Sequence, residues 1–168
     1  MSYMSRLARI YEKILEAITM VLMLSLAVVV IVGVIYRWAG NSLSWYDEVA
    51  SIQLCWLTYY GAALGALKRA HIGIPSIIVA IKPPYRLPLV LFGEIVVLGF
   101  FAVLAYVGMV VLEALRPSDT LVSLLWVPQR FTQSVIPIGA VLYFIAELLN
   151  LPEIWKEATG QVEMKVVH

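Results

Sequence analysis

Residues 44–75 read SWYDEVASIQLCWLTYYGAALGALKRAHIGIP. The stretch opens on Trp45, Tyr46, Asp47 and Glu48, runs uncharged from Val49 to Leu67, and closes on Lys68, Arg69 and His71. Wound as a helix, the uncharged run is about 28 Å long, close to the ~30 Å hydrocarbon thickness of a bilayer. Aromatic and charged residues at its two ends suit the two water interfaces. Ser44 is the expected N-cap, with Asp47 and Glu48 in the first turn, where carboxylates meet unpaired N–H groups and the positive helix end.

Composition extends this reading to the whole chain. Of 168 residues, 62% are hydrophobic and only 14% charged, and the mean hydropathy is +0.90, which sets the chain apart from ordinary soluble domains. A net charge of +1 offers no basic surface for nucleic acid. The single cysteine, Cys55, excludes an internal disulfide. Once four spans are subtracted, the loops are too short for a soluble catalytic domain.

Outward from the opening stretch, the chain divides into similar pieces. Ala17–Tyr36 is an uncharged run of 20 residues. Before it, Leu7, Ile10, Tyr11, Ile14 and Leu15 recur at helical spacing among charged positions, the pattern of an interfacial helix over 5–16. A cleaved signal peptide fits poorly, because the run is long, acids precede it and no small-residue cleavage site follows. After His71, the apolar patch 72–81 is too short to span and is fenced by Pro75, Pro83, Pro84 and Pro88, so a helix on the membrane surface is expected. A third span follows over 87–112, interrupted only by Glu94, and a fourth over 131–149, with Pro137 inside it. Between them lies TLVSLLWVP, 120–128, apolar but too short to cross. The tail beyond Asn150 and Pro152 is polar and expected in water.

The expected fold is therefore an all-α integral membrane protein, a single domain of four transmembrane helices with short interfacial helices. Lys and Arg number nine before the first span, between the second and third, and after the fourth, against three in the other two loops. By the positive-inside rule both termini are cytoplasmic.

Few residues are equipped for chemistry. His71 and His168 cannot face each other across the membrane to hold a haem or metal. Cys55 has no thiol partner and reads as a packing residue. No cofactor is expected, and no enzymatic role. Asp47 and Glu48 lie at the opposite end of their helix from His71, so these three cannot converge on a substrate. Arg37 sits at the same face as Asp47 and Glu48, where an ion pair would close the helical hairpin. Gly61 and Gly65 make a GxxxG spacing near Trp56, suited to helix packing or a subunit interface. Glu94 is an intramembrane acid, by default a functional position such as a proton-coupling site. The preferred reading is an ion pair with Lys68, Arg69 or a base on a partner protein.

The order of residues resembles the small membrane subunit, Q-type or DctQ-like, of tripartite ATP-independent periplasmic (TRAP) transporters. The matching features are Tyr36-Arg37, Ser44-Trp45 with Asp47-Glu48, Trp56, Gly61-Ala62, Lys68-Arg69, His71-Ile72, and Pro128 followed by Pro137 within VIPIG. Pro75 stands where the family usually has an acid soon after His-Ile. The resemblance implies a non-catalytic subunit of the bacterial or archaeal inner membrane, surrounded by lipid. It would brace a large M-type permease subunit that moves sodium and an organic acid in an elevator cycle, while a periplasmic binding protein captures the substrate. A small oligomeric proton-coupled exporter using Glu94 is the alternative.

Overall fold

An unbroken helix, α1, runs from Tyr3 to Trp38. The segment expected as a separate surface helix over 5–16 is thus the first part of α1, continuous with the run that follows. In the computed structural model, residues 3–68, 83–116, 118–122, 124 and 126–158 are described. The expected surface helix over 72–81, the residues Arg69 and His71, and the chain beyond 158 lie outside the described residues. Among the described residues, α1 is followed by α2 (Tyr46–Leu67), α3 (Pro83–Ala114), the short α4 (Gln129–Gln133) and α5 (Val135–Ala158). Among the described residues the β pairing is confined to one isolated bridge, Thr120 with Pro128.

The helix ends follow from local chemistry. At the end of α1, the Asn41 N–H donates to the Tyr36 carbonyl at 3.0 Å and the Gly40 N–H to that of Arg37 at 3.2 Å. This double closure needs a left-handed residue, and Gly40 supplies it at φ 79°. Helix α2 is capped differently from the expectation. Its N-cap is Trp45, in helical conformation and without a side-chain cap bond, in place of Ser44. Asp47 and Glu48 do occupy the first turn.

The expected fourth span, 131–149, is divided at Ser134 into α4 and α5. Pro137 has no N–H to donate to the carbonyl of Gln133, so the helical ladder is interrupted one turn before it. The gap is small, since the Ser134 N–H reaches Arg130 at 3.0 Å and the Ile138 N–H reaches Ser134 at 3.2 Å. At its far end α5 passes through Pro152 to Ala158 and buries Asn150 and Ile154, so the chain beyond Asn150 begins as helix and not as a free tail.

Helices α2 and α5 pack on each other at the centre; α1 lies along α2 and α3 along α5. Each neighbouring pair touches through one glycine. A Cβ on Gly33 of α1 would collide with the ring of Tyr46 on α2. One on Gly139 of α5 would lie 2.5 Å from the Tyr59 Cβ on α2, and one on Gly108 of α3 would lie 2.9 Å from Pro137 on α5. Such close backbone approach gives dispersion contact where lipid tails, as apolar as leucine, leave no hydrophobic drive between helices. Around these contacts sits a small core of Leu15, Ala63, Ala66, Tyr143 and Ala146. Phe101 lies flat against Tyr143, with ring centroids 3.6 Å apart.

Among the described residues, three stretches are long and apolar enough to cross a membrane: Ala8–Trp38, Pro88–Ala114 and Gln129–Pro152. Helix α2 is not among them. It runs antiparallel to α1 along most of its length. Tyr46 meets Gly33 at one end, the Gln53 Nε2–H donates to Ser25 Oγ at 3.2 Å midway, and Lys68 reaches Glu12 and Glu16 at the other.

Candidate functional site

The polar side chains named from sequence are distributed to the two ends of the bundle and do not meet. At one end Lys68, just past the last residue of α2, ion-pairs with Glu12 at 3.7 Å and hydrogen-bonds Glu16. The Glu16 hydrogen bond, helped by the nearby charges of Glu16 and Glu12, pushes the Lys68 pKa above its ordinary 10.5. Its role differs from a charge placed on its own helix end, because it ties the start of α1 to the end of α2. Next to it, the buried Asn150 of α5 donates from Nδ2 to the carbonyls of Ala66 at 2.7 Å and Leu67 at 3.3 Å. The last carbonyls of α2, which lie where the helical ladder runs out of donors, thereby gain a donor from a neighbouring helix, the Ala66 carbonyl also accepting the Lys68 N–H. The Tyr11 hydroxyl donates across the bundle to the Leu142 carbonyl at 2.6 Å. Sequence reading placed Tyr11 in the apolar repeat of 5–16 and Asn150 at the start of the tail but missed both hydrogen bonds, since their partners lie on other helices.

At the other end, the ion pairs seen among the described residues do not include the expected one between Arg37 and Asp47 or Glu48. Arg37 is exposed on the last turn of α1, and Glu48 Oε1 accepts the Val122 N–H at 3.2 Å. A carboxylate at the start of a helix attracts N–H donors, and here the loop before α4 supplies one. That loop is closed on itself. The Leu121 N–H donates to Val127 at 3.1 Å, Val127 to Leu124 at 2.9 Å, and Gln129 to Asp119 at 2.9 Å, while Asp119 Oδ2 accepts the Arg116 N–H at 2.8 Å. Trp45 lines an open groove of 420 Å³ with Val49, Ile52, Leu121, Trp126 and Phe131. The wall is almost wholly apolar. Among the described residues its polar lining is Gln53 and Thr132, and no ionisable side chain lines it.

Trp56 packs within the chain. Its Nε1–H donates to the Thr132 carbonyl at 3.1 Å and its ring lies 5.1 Å from that of Phe131. Gly61 does the reverse of what its spacing suggests for this chain alone, because a Cβ there would meet nothing within 4 Å. Gly65 is half-buried. Cys55, read as a packing residue, is exposed. Glu94 makes no ion pair with Lys68, whose ammonium is held by the two glutamates of α1. One Glu94 carboxylate oxygen, Oε2, is shielded from solvent and has no hydrogen-bond partner among the described residues. Among the described residues, no three His, Cys, Asp or Glu side chains are grouped as for a metal ion.

Glycine contacts, cross-helix hydrogen bonds and the Lys68 ion pairs join the helices, and among the described residues the polar groups do not converge on one site. The family profile of the tripartite ATP-independent periplasmic transporters, DctQ component, matches residues 26–157. The chain belongs to the DctQ family. The match takes in α1 from its middle, all of α2 to α4 and nearly all of α5, and so covers the three glycine contacts and Asn150. No curated protein matches this chain closely enough to count as a relative. DctQ proteins are transporter components, the small membrane subunits of TRAP systems, and not an enzyme family.

Proposed function

We propose that this chain is the small membrane subunit of a sodium-coupled TRAP transporter for organic acids. It braces the scaffold of a large elevator-type permease subunit and does not itself bind substrate or catalyse a reaction. It works with a periplasmic substrate-binding protein, in the cytoplasmic membrane of a bacterium or archaeon. The observation that carries the reading, beside the family, is how little of the apolar surface the chain covers by itself. Val21, Leu24, Val28 and Ile31 of α1, and Phe92, Ile95, Val103 and Tyr106 of α3, are all exposed. Lipid and a larger membrane protein are the surroundings that such faces fit.

Reconstitution tests the proposal. The chain alone in proteoliposomes should give no uptake, whereas the chain purified with the large permease and supplied with the binding protein should give uptake driven by a sodium gradient. Transport by the chain alone would overturn the reading. The solvent-shielded Glu94 oxygen favours one competitor, a small proton-coupled exporter. In that case Glu94→Gln abolishes transport, whereas in a bracing subunit it alters only assembly or stability.

A further inference from the structure

We propose that the loop carrying Leu121, Val122 and Trp126 is a membrane anchor. It rests in the interfacial layer of the bilayer at the Trp38 end of the bundle, with Val122 and Trp126 against lipid. The inference depends on reading α1 and α2 as membrane-crossing, and it concerns a segment that the transporter reading leaves without a role.

Contacts with α2 set the depth of the loop. Val122 is bonded to Glu48, in the first turn of α2. Leu121, Leu124, Trp126 and Val127 share a groove with Val49, Ile52 and Gln53, in the first and second turns. Helices α4 and α5 begin lower, where Trp56 meets Thr132 and Tyr59 meets Gly139. Trp56 lies about 15 Å along α2 from Tyr46. On this flank of α2 the outermost turns therefore have a folded-back loop beside them instead of a helix. From the Lys68–Glu16 contact, a hydrocarbon core of ~30 Å extends about twenty residues along each helix. That distance ends near Glu48 on α2 and Tyr36 on α1, so the loop lies at the boundary and not beyond it.

The chemistry of the loop fits that level. Non-helical backbone at membrane depth is tolerated where protein satisfies its polar groups. The N–H groups of Leu121, Val122 and Val127 are each bonded within the loop or to Glu48. Leu121 is buried and holds the loop to the bundle, while Val122 and Trp126 are 88% and 80% exposed. Phe131 on α4, which lines the same groove as Trp126, is exposed as well. Trp38, at the end of α1, is 95% exposed at the same end, and tryptophan prefers this layer to either water or hydrocarbon. The Arg130 Nε–H donates to the Leu112 carbonyl at 2.9 Å and ties the base of the loop to α3, while the exposed Arg116 has a side chain long enough to reach the headgroups.

Spin labels on the full chain in lipid nanodiscs test the proposal, using Val122→Cys in a Cys55→Ala background. Val28→Cys, mid-way along the exposed face of α1, reports the crossing itself, and Asn41→Cys, in the α1–α2 turn, reports water. The expected result at Val122 is collision with oxygen favoured over a water-soluble nickel complex by several-fold relative to Asn41. A Val122 label that behaves like Asn41 while Val28 stays lipid-exposed overturns the anchor and leaves the crossings intact. So does a label closed to both probes, which would mean a protein covers the loop. Failure at Val28 would instead overturn the membrane-crossing reading beneath it. As a second measurement, wild-type tryptophan emission should be quenched by lipids brominated near the headgroup more than that of Trp126→Phe; equal quenching counts against the anchor.

Discussion

Single residues hold the Lys68 end of this bundle together, and Asn150 shows how. Its Nδ2 donates to two terminal carbonyls of α2 from a buried position on α5. Asn150→Leu keeps the size but removes the donor, leaving those carbonyls enclosed without it. The cost of an enclosed polar group left without its bond is about 1–3 kcal/mol. The variant should melt at a lower temperature in detergent, while Thr58→Val, which removes a local hydroxyl bond to Leu54 on an exposed face, should change little. Equal melting of Asn150→Leu and wild type would show the bond contributes nothing. In the sequence Asn150 looked like the start of a polar tail, because asparagine before proline usually marks a helix end. What the sequence could not show is that α2 ends opposite it. Glu48 is the converse case. Its place in the first turn was legible from the acid-rich start of the segment, but its partner, a backbone N–H far along the chain, was not. Lys68 likewise was legible as a helix end and not as a tie to α1, since nothing in local pattern pairs it with Glu12 and Glu16.

Helix contacts rest on small residues, and two kinds of glycine need to be told apart. Gly33, Gly108 and Gly139 lie where a neighbouring side chain occupies the space a Cβ would take, whereas Gly61 faces open space. The sequence motif pointed to Gly61 and Gly65, because GxxxG spacing is visible within one helix. The contacts that form depend on which residue of another helix lies opposite, which one-helix periodicity does not contain. Gly139→Ala puts a methyl against the Tyr59 Cβ, an atom close to the backbone with little room to move. Overpacking of this sort costs about 1–3 kcal/mol, so this variant should unfold at lower temperature or denaturant. Gly61→Leu should leave the isolated chain as stable as wild type. If that face of α2 meets the large permease, the same substitution should reduce co-purification with it. A destabilised Gly61→Leu monomer together with an unperturbed Gly139→Ala would reverse the assignment of the two faces. The helices themselves were well marked in the sequence, as uncharged runs of crossing length. The division at Ser134 was not, although Pro137 was visible, because α4 is held in place by Trp56 through a carbonyl.

For the whole molecule, the number of crossings decides on which sides the termini lie. Three stretches satisfy length and apolarity without help, and α2 does not. Three crossings would put the termini on opposite sides of the membrane and four would put them on the same side. We propose four, from the way α2 lies along α1. Helix α2 has 22 residues, about 33 Å of helix, and its contacts with α1 run from Gly33 to Glu16, so a membrane crossed by α1 over that length is crossed by α2 as well. The lower apolarity of α2 has a physical cause in its central place. The Gln53 Nε2–H and the Trp56 Nε1–H donate to Ser25 and Thr132 of its neighbours, and Ala63 and Ala66 are small because they are buried between helices. A helix shielded on two sides does not need the unbroken valine and isoleucine of α1. With nine Lys and Arg residues on the side of the termini and three on the other, four crossings put both termini in the cytoplasm. Alkaline phosphatase is active only after export and GFP fluoresces when folded in the cytoplasm, so the pair reads this directly. Fusion to the C-terminus should give an inactive phosphatase and a fluorescent GFP, and so should fusion to the N-terminus. Active phosphatase at the C-terminus with fluorescent GFP at the N-terminus would mean an odd number of crossings, and α2 would then have to lie against α1 without traversing the bilayer.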